Sequence, residues 1–217
     1  MRGDSRIRSP ISLFVRPPAA SSATRRSCHV SATAPAAAGP VARGGRAGRA
    51  EFAAHGLGGA RVDRIAAAAR SNKAQIYHYF GSKADLFDAV WHELVEQIVT
   101  QVPLDADDLP GFAVGLSDLY AEHPDIPRIV TWQRLERDSA LNALGVAEVR
   151  GRSAAVAGAQ ARGLASTGFE PEVLFALLVH VAMLWAAANP EVLAVLGEAD
   201  RARRRDTVRR VAAALVG

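Results

Sequence analysis

The chain has 217 residues, of which 49% are hydrophobic, 22% charged and 6% aromatic. This length and composition predict one or two folded domains with an apolar core, and exclude a collagen, a disulfide-stabilised scaffold and a wholly disordered chain. Cys28 is the single cysteine, so the chain cannot form an internal disulfide, and nothing in its cysteine content indicates an oxidising compartment. The formal net charge of +4 suggests an anionic partner, depending on where the positive charge lies.

Most of the positive charge lies at the N-terminus. Residues 1–50 hold nine arginines and one acidic residue, a net charge of +8, whereas the rest of the chain has a net charge of −4. Residues 1–40 are rich in Pro, Ala, Gly, Ser and Arg, which predicts a disordered basic leader. A segment like an organelle transit peptide, or a start codon assigned too early, are alternatives. The apolar run 11–15 is too short for a secretory signal, so we expect a cytoplasmic protein.

Beyond residue 50 the sequence predicts helices and no strand. Apolar residues in 62–69 recur at i, i+3, i+4 and i+7, which is one face of a helix. Ser71 or Asn72 offers an N-cap for a second short helix over 73–80. Ser82 opens a longer third helix. Two short helices joined by a turn and followed by a long helix are typical of a helix-turn-helix DNA-binding unit.

The charge of this segment supports the same interpretation. Between residues 58 and 83 there are five cations and one acidic residue, a net charge of +4 within an otherwise acidic body. Lys73 and Lys83 are the only lysines of the chain, and both lie at predicted helix starts. The helix dipole disfavours cations there, so stability does not explain them, whereas contact with phosphates does.

The run from Val62 to Ala66, together with Asn72 to Phe87 (NKAQIYHYFGSKADLF), closely resembles the DNA-binding domain of the TetR-type transcriptional regulators. Residues 51–56 resemble the end of that family's first helix. The resemblance implies an all-α fold, with an N-terminal helix-turn-helix domain over 41–98 whose core is 61–80. It further implies a helical C-terminal bundle over 104–217 that binds an effector and forms a homodimer.

The resemblance also implies roles for individual residues. The helix 73–79 would enter the major groove, with Ala74, Gln75 and His78 near base edges or backbone, and glutamine can read adenine through two hydrogen bonds. Tyr77 and Lys83 would contact phosphates, and Arg61 and Arg64 would flank the DNA backbone. The expected DNA-binding residues are Arg61, Arg64, Arg70, Asn72, Lys73, Ala74, Gln75, Tyr77, His78, Tyr79 and Lys83, with Ile65, Ile76, Phe80 and Leu86 in the core.

Two positions depart from the family pattern. Arg70-Ser71 stands where many members have Gly-Val, so Arg70 occupies a turn position that often takes a positive φ. The first helix would have to include Gly44, Gly45 and Gly48, without an apolar stripe. Each glycine costs about 1 kcal/mol relative to alanine inside a helix. We therefore expect a first helix that is short or frayed.

The C-terminal half follows an acidic segment, 103–110, and contains several further helical patterns. Residues 173–188 include only His180 as a polar residue, which predicts one helix buried on more than one side. The run is too short for a membrane span. Residues 201–216 form a last helix, whose arginines we attribute to a solvated helix end that the dipole favours. Helices 172–188 and 201–216 are the predicted homodimer interface.

An effector pocket is predicted among the large side chains of this half. Its candidate lining residues are Phe112, Trp132, His180, Met183 and Trp185. Plain core packing is the alternative for the large residues, and a satisfied core or interface histidine is the alternative for His180.

We expect neither metal nor cofactor binding nor catalysis. The six histidines show no ligand spacing, and the sequence has no nucleophile elbow, phosphate-binding loop or dinucleotide motif.

These patterns predict a DNA-binding protein, and the resemblance implies a nucleoid-associated transcriptional regulator, a repressor that a small-molecule effector releases from a palindromic operator. The alternative is a dimeric small-molecule-binding protein that has lost DNA binding through a defective first helix.

Overall fold

A computed structural model describes residues 39–136, 143–197 and 199–217. Within these ranges the regular secondary structure is entirely helical, which confirms the predicted all-α class. The N-terminal helices are α1 (Pro40–Gly59), α2 (Val62–Ala68), α3 (Lys73–Phe80) and α4 (Lys83–Gln101). They are followed by α5 (Leu109–Glu122), α6 (Asp125–Glu136), α7 (Ala143–Ala161), α8 (Pro171–Ala182), α9 (Leu184–Ala187), α10 (Pro190–Leu196) and α11 (Arg201–Val216). The expectations for the leader concern residues that, up to residue 38, lie outside the described ranges.

The helix starts follow from side-chain caps that the sequence predicted. The side chain of Asn72 accepts a hydrogen bond from the backbone N–H of Gln75, and Ser82 accepts one from Asp85. Such caps satisfy N–H groups that have no partner in the first turn of a helix. Between the two helices Gly81 has a φ of 88°, a conformation that glycine adopts at low cost. The turn between α3 and α4 is therefore specified locally.

Helix α1 contradicts the expectation of a short or frayed first helix. It spans 20 residues, and Gly44, Gly45 and Gly48 are buried on the side that faces α3 and α4. A Cβ at Gly44 would lie 2.9 Å from the ring of Phe80, and one at Gly48 would lie 3.3 Å from Leu86. The expectation was wrong because tertiary contact compensates for the low helix propensity of glycine, and larger side chains would prevent that contact.

The C-terminal end of α1 is kinked at Gly56, where φ is 67°. The break leaves polar backbone groups that α6 satisfies. Glu136 accepts hydrogen bonds from the N–H groups of Leu57, at 2.5 Å, and Gly58, at 3.2 Å. Arg128 donates to the carbonyl of Ala53 at 2.8 Å. The end of α1 is thus held by α6 through these hydrogen bonds.

The remaining core lies where α5 packs against α8 and α11. Leu116, Leu174, Leu178, Val208 and Ala212 are among its buried residues. Residues 173–188, expected to form one helix, instead form α8 and the short α9, with a break at Met183. Helix α8 is buried on one face in the single chain, whereas Val173 on another face of α8 is 41% exposed.

The arginines of α11 are explained by ion pairs rather than by the helix dipole. Several of them lie in its first turns, where the dipole disfavours cations, so the expectation of a dipole-favoured helix end was wrong. Arg201 and Arg205 both pair with Asp118 of α5, and Arg209 pairs with Asp108 at 3.4 Å. The charges therefore fasten α11 to α5.

Among the described residues, each helix is either too short or too polar to cross a bilayer.

The buried glycine face of α1 can be tested by substitution. We expect Gly44→Leu to lower the free energy of unfolding by about 1–3 kcal/mol, because the side chain must displace Phe80. Gly151→Leu is the matched control, since its helical position in α7 is exposed and open. There the better helix propensity should raise stability by about 0.5–1 kcal/mol. Urea denaturation followed by circular dichroism measures both, and equal effects would contradict the packing argument.

Candidate nucleic-acid interface and cavities

Most of the surface of helix α3 is exposed to solvent. Ile76 is its buried anchor at 2% exposure, and Phe80 is half-buried. The remaining residues of the helix are exposed, including Tyr77 at 40% and Tyr79 at 45%. The exposed residues of α3 are Lys73, Ala74, Gln75, Tyr77, His78 and Tyr79.

Side chains on this helix are pre-arranged by their neighbours. The hydroxyl of Ser71 donates to Oε1 of Gln75 at 2.7 Å, and Lys73 Nζ lies 3.2 Å from the carboxylate of Asp63 in α2. The rings of His78 and Tyr79 are in edge-to-face contact, 5.4 Å apart. These contacts limit the rotamers of residues that the resemblance places near bases and phosphates.

Glu51 of α1 binds both Arg61, which directly precedes α2, and Arg64 within α2. Its carboxylate accepts a hydrogen bond from Arg64 Nε at 2.8 Å and another from the backbone N–H of Arg61 at 2.9 Å. Burial by itself raises the pKa of Glu51, but the hydrogen bonds from Arg64 and Arg61 outweigh it and hold the pKa below its usual value. The carboxylate therefore stays ionised and fixes the start of α2 against α1.

Lys83 lies at the junction of α1 and α4. Its Nζ donates to the carbonyls of Gly58, at 3.2 Å, and Ala60, at 3.1 Å. These are carbonyls at the C-terminal end of α1, where a cation is favourable. An ammonium has three donors, so one remains for an anion. Lys83 thus has a structural role that the sequence did not predict.

In the turn between α2 and α3, Arg70 has the positive φ that its position in the sequence predicted. Its φ is 50°, and among the described residues it is the one residue other than glycine with a positive φ. Its side chain is exposed beside the start of α3. Arg43 was not among the predicted site residues, because its part of the first helix was expected to be frayed, yet its Nε donates to the carbonyl of Ala69 at 3.1 Å and holds the end of α2.

The five predicted pocket residues lie in different places. Phe112 lines an apolar cavity, Trp185 lines a more polar cleft, and Trp132 covers Gly56 at the kink of α1. His180 is exposed, with Nδ1 2.7 Å from the carbonyl oxygen of Ala176, and Met183 is half-buried at the end of α8. The structure does not bring the five together.

The apolar cavity has a volume of about 190 Å³ and lies between α4, α5, α7 and α8. Its lining includes Trp91, Leu94, Ile98, Val99, Phe112, Leu116, Tyr120, Phe175 and Val179. Arg152 lies at one side, donates to the carbonyl of Val102 at 3.2 Å, and is 5.2 Å from the centre of the Phe112 ring. Burial lowers the pKa of Arg152.

The second cavity is a cleft of about 410 Å³ between α5, α6, α9 and α11. Arg128 and Arg204 lie on its wall with Trp185, and Tyr120 lines both cavities. Burial raises the pKa of Tyr120 to about 12, so its phenol stays protonated.

An all-helical chain with a capped, exposed recognition-type helix over a packed helix-turn-helix defines a DNA-binding regulator of transcription. Residues 46–90 match the family model of bacterial regulatory proteins of the tetR family. Residues 108–213 match that of the tetracyclin repressor-like C-terminal domain.

Individual proteins agree with these matches. The HTH-type transcriptional repressor SCO4008 of Streptomyces coelicolor is 37% identical over 174 residues, which cover 77% of this chain and 90% of the relative. The solved structure of SCO4942 from the same species is 35% identical and superposes with a TM-score of 0.74, covering 82% of this chain and 98% of that one. The complex of AibR with isovaleryl coenzyme A and operator DNA shares the fold at 16% identity, with a TM-score of 0.63 over 80% of this chain and 97% of AibR.

The chain belongs to the tetR family of regulatory proteins. It is a helix-turn-helix, DNA-binding transcriptional regulator with a helical C-terminal domain.

Proposed function

We propose that this regulator represses transcription as a homodimer on a palindromic operator and is released when a small-molecule effector binds its C-terminal bundle. The observation that carries the proposal is α3, whose polar and cationic side chains project from a helix anchored by Ile76. In a dimer two such helices would reach successive major-groove faces about 34 Å apart. The similarity to SCO4008, which is a transcriptional repressor, supports repression as the direction of regulation.

The exposed residues divide by chemistry into base readers and phosphate contacts. Gln75 and His78 carry hydrogen-bonding groups on the central turns of α3, so we assign them to base edges, with Ala74 leaving room for close approach. We assign the phosphate contacts to the hydroxyl of Tyr77 and to the cations around the helix. The phosphate set is Arg61, Arg64, Arg70, Lys73, Tyr77 and Lys83, while Asn72 caps the helix and Tyr79 borders the surface.

The intact α1 removes the basis of the alternative function. A protein that had lost DNA binding was expected only if its first helix were defective. Helix α1 instead packs Phe52 against Phe87 of α4, with ring centres 5.1 Å apart, and is continuous up to its kink. The platform that presents α3 is therefore complete.

The homodimer interface is proposed on α8 and α11. Both helices expose apolar side chains beside their buried faces, with Val173 at 41% and Val211 at 42%. Burying such residues against a second copy would stabilise both chains by the hydrophobic effect, at about 25 cal/mol per Å². Four helices across a two-fold axis would then form the interface.

The apolar cavity between α4, α5, α7 and α8 is the proposed effector pocket. It is lined mainly by apolar and aromatic side chains, and among the described residues the buried indole N–H of Trp91 has no acceptor. A few polar groups within an apolar wall are typical of small-molecule sites. The site of action that we propose is the nucleoid in the cytoplasm.

DNA binding is tested by fluorescence anisotropy on the DNA upstream of the chain's own gene, over a series of salt concentrations. Lys83→Ala and Tyr77→Phe should weaken binding to every sequence alike, and Lys83→Ala should lower the salt slope by about one. Gln75→Ala should change base preference by about 1–3 kcal/mol at one position.

Arg210→Ala is the control for these variants, since this α11 residue is 80% exposed and pairs within its own helix. It should bind DNA as the native chain does. The regulator proposal fails if neither the full chain nor a chain without residues 1–40 binds that DNA.

If α8 and α11 form the homodimer interface, negative charges placed on their exposed apolar residues should prevent dimerisation. Val173→Glu combined with Val211→Glu should convert a dimer to a monomer in light scattering, because two carboxylates on each chain would be buried without partners. Ala154→Glu, at an exposed position of α7, should leave the dimer intact. A double variant that stays dimeric would place the interface elsewhere.

The effector pocket is tested with toluene, since an apolar cavity of about 150 Å³ is known to bind benzene. Toluene should raise the melting temperature of the native chain and weaken its operator binding. Val99→Trp should fill the cavity and abolish both effects, while Val192→Trp, at a residue 47% exposed in α10, should keep them. Equal responses from the two variants would exclude this cavity as the pocket.

A further inference from the structure

The cleft of about 410 Å³ between α5, α6, α9 and α11 differs chemically from the apolar cavity. Two arginines line it, Arg128 from α6 and Arg204 from α11, and no Asp or Glu is among its lining residues. Like charges that share a cleft repel each other and gain from a common anion.

These two arginines also lack the partners that nearby arginines have. On α11, Arg201, Arg205 and Arg209 each pair with an aspartate of the loop before α5 or of α5 itself. Within the described part of the chain, neither Arg204 nor Arg128 forms an ion pair. Arg204 is half-buried and donates one Nη1 bond to the carbonyl of Ala199 at 2.7 Å. Most of its donors are therefore uncommitted.

The other polar groups of the cleft are donors as well. The indole N–H of Trp185 is buried and has no acceptor among the described residues, although buried polar groups are nearly always paired. The phenol of Tyr120 stays protonated, since burial raises its pKa to about 12. A wall with unsatisfied donors and no carboxylate matches a ligand whose oxygens only accept hydrogen bonds.

We propose that this cleft is a binding site for a small organic anion, whose carboxylate or phosphoryl group is held by Arg128 and Arg204, with Trp185 in the wall. Guanidinium groups bind both anions through paired hydrogen bonds. Pro124, Pro127 and Ala182 supply an apolar wall for the rest of the molecule. The site shares Tyr120 with the effector pocket proposed above but takes a different class of ligand and does not depend on that pocket.

Arg128 gives this site a direct connection to the DNA-binding domain. Its Nε is committed to the carbonyl of Ala53 in α1, at 2.8 Å, which leaves its two NH₂ groups for the anion. One guanidinium would thus contact both the ligand and the helix against which α3 packs. Anion binding should therefore change the affinity for the operator as well.

Isothermal titration calorimetry on the full chain without DNA tests the site with three matched probes: benzoate, phenyl phosphate and neutral benzamide. We expect saturable binding of benzoate or phenyl phosphate, with benzamide at least about tenfold weaker. Binding of only one anion identifies the ligand as a carboxylate or as a phosphoryl compound. Saturation by neither, or equal binding of benzamide, overturns the proposal.

Variants separate the cleft from non-specific attraction to a basic chain. Arg204→Gln and Arg128→Gln should each weaken the binding of the anion about tenfold or more, because each removes a positive charge and charge-assisted hydrogen bonds. Arg210→Gln removes a charge of α11 outside the cleft and should bind as the native chain does. Either arginine variant tests the site by itself if the other fails to fold. Native affinity in a folded Arg204→Gln or Arg128→Gln variant overturns the proposal.

Discussion

The close packing of α1 on both its sides is the constraint on which the rest of the structure depends. On one side, Gly44 and Gly48 let the helix backbone approach Phe80 of α3 and Leu86 of α4. On the other side, the kink at Gly56 receives Trp132, and Glu136 of α6 binds the freed amides. Because close-packed interiors tolerate little change in volume, the position of α3 is tied to both contacts. The DNA-binding domain is therefore continuous with the bundle behind it.

This continuity offers a physical route from a ligand to DNA. Helix α6 contributes Arg128 to the cleft and, on its last turn, Glu136 to the end of α1. Gly58 connects α6 to α4, since its N–H donates to Glu136 of α6 and its carbonyl accepts from Lys83 at the start of α4. A shift of α6 would move groups that already hold the base of the DNA-binding domain. Coupling between two sites requires such differential contacts rather than proximity alone.

Three cations of the proposed DNA-binding surface have partners within the chain itself. Arg64 is paired with Glu51, Lys73 with Asp63, and Lys83 with two carbonyls. The exposed pairs are weak in water, so operator phosphates can compete for the same cations. The net charge of +4 belongs mainly to residues before α1, whereas the charges around α3 are few and individually placed.

The sequence alone determined the features that depend on neighbouring residues. The caps at Asn72 and Ser82, and the limits of α3 and α11, follow from local hydrogen bonding and helix periodicity, which act over a few residues. Only the tertiary structure decided the length of α1, the ion pairs of α11 and which large side chains line each cavity. These depend on residues that are distant in the chain. Burial against such partners outweighs local propensity, and a single sequence does not state which partners meet.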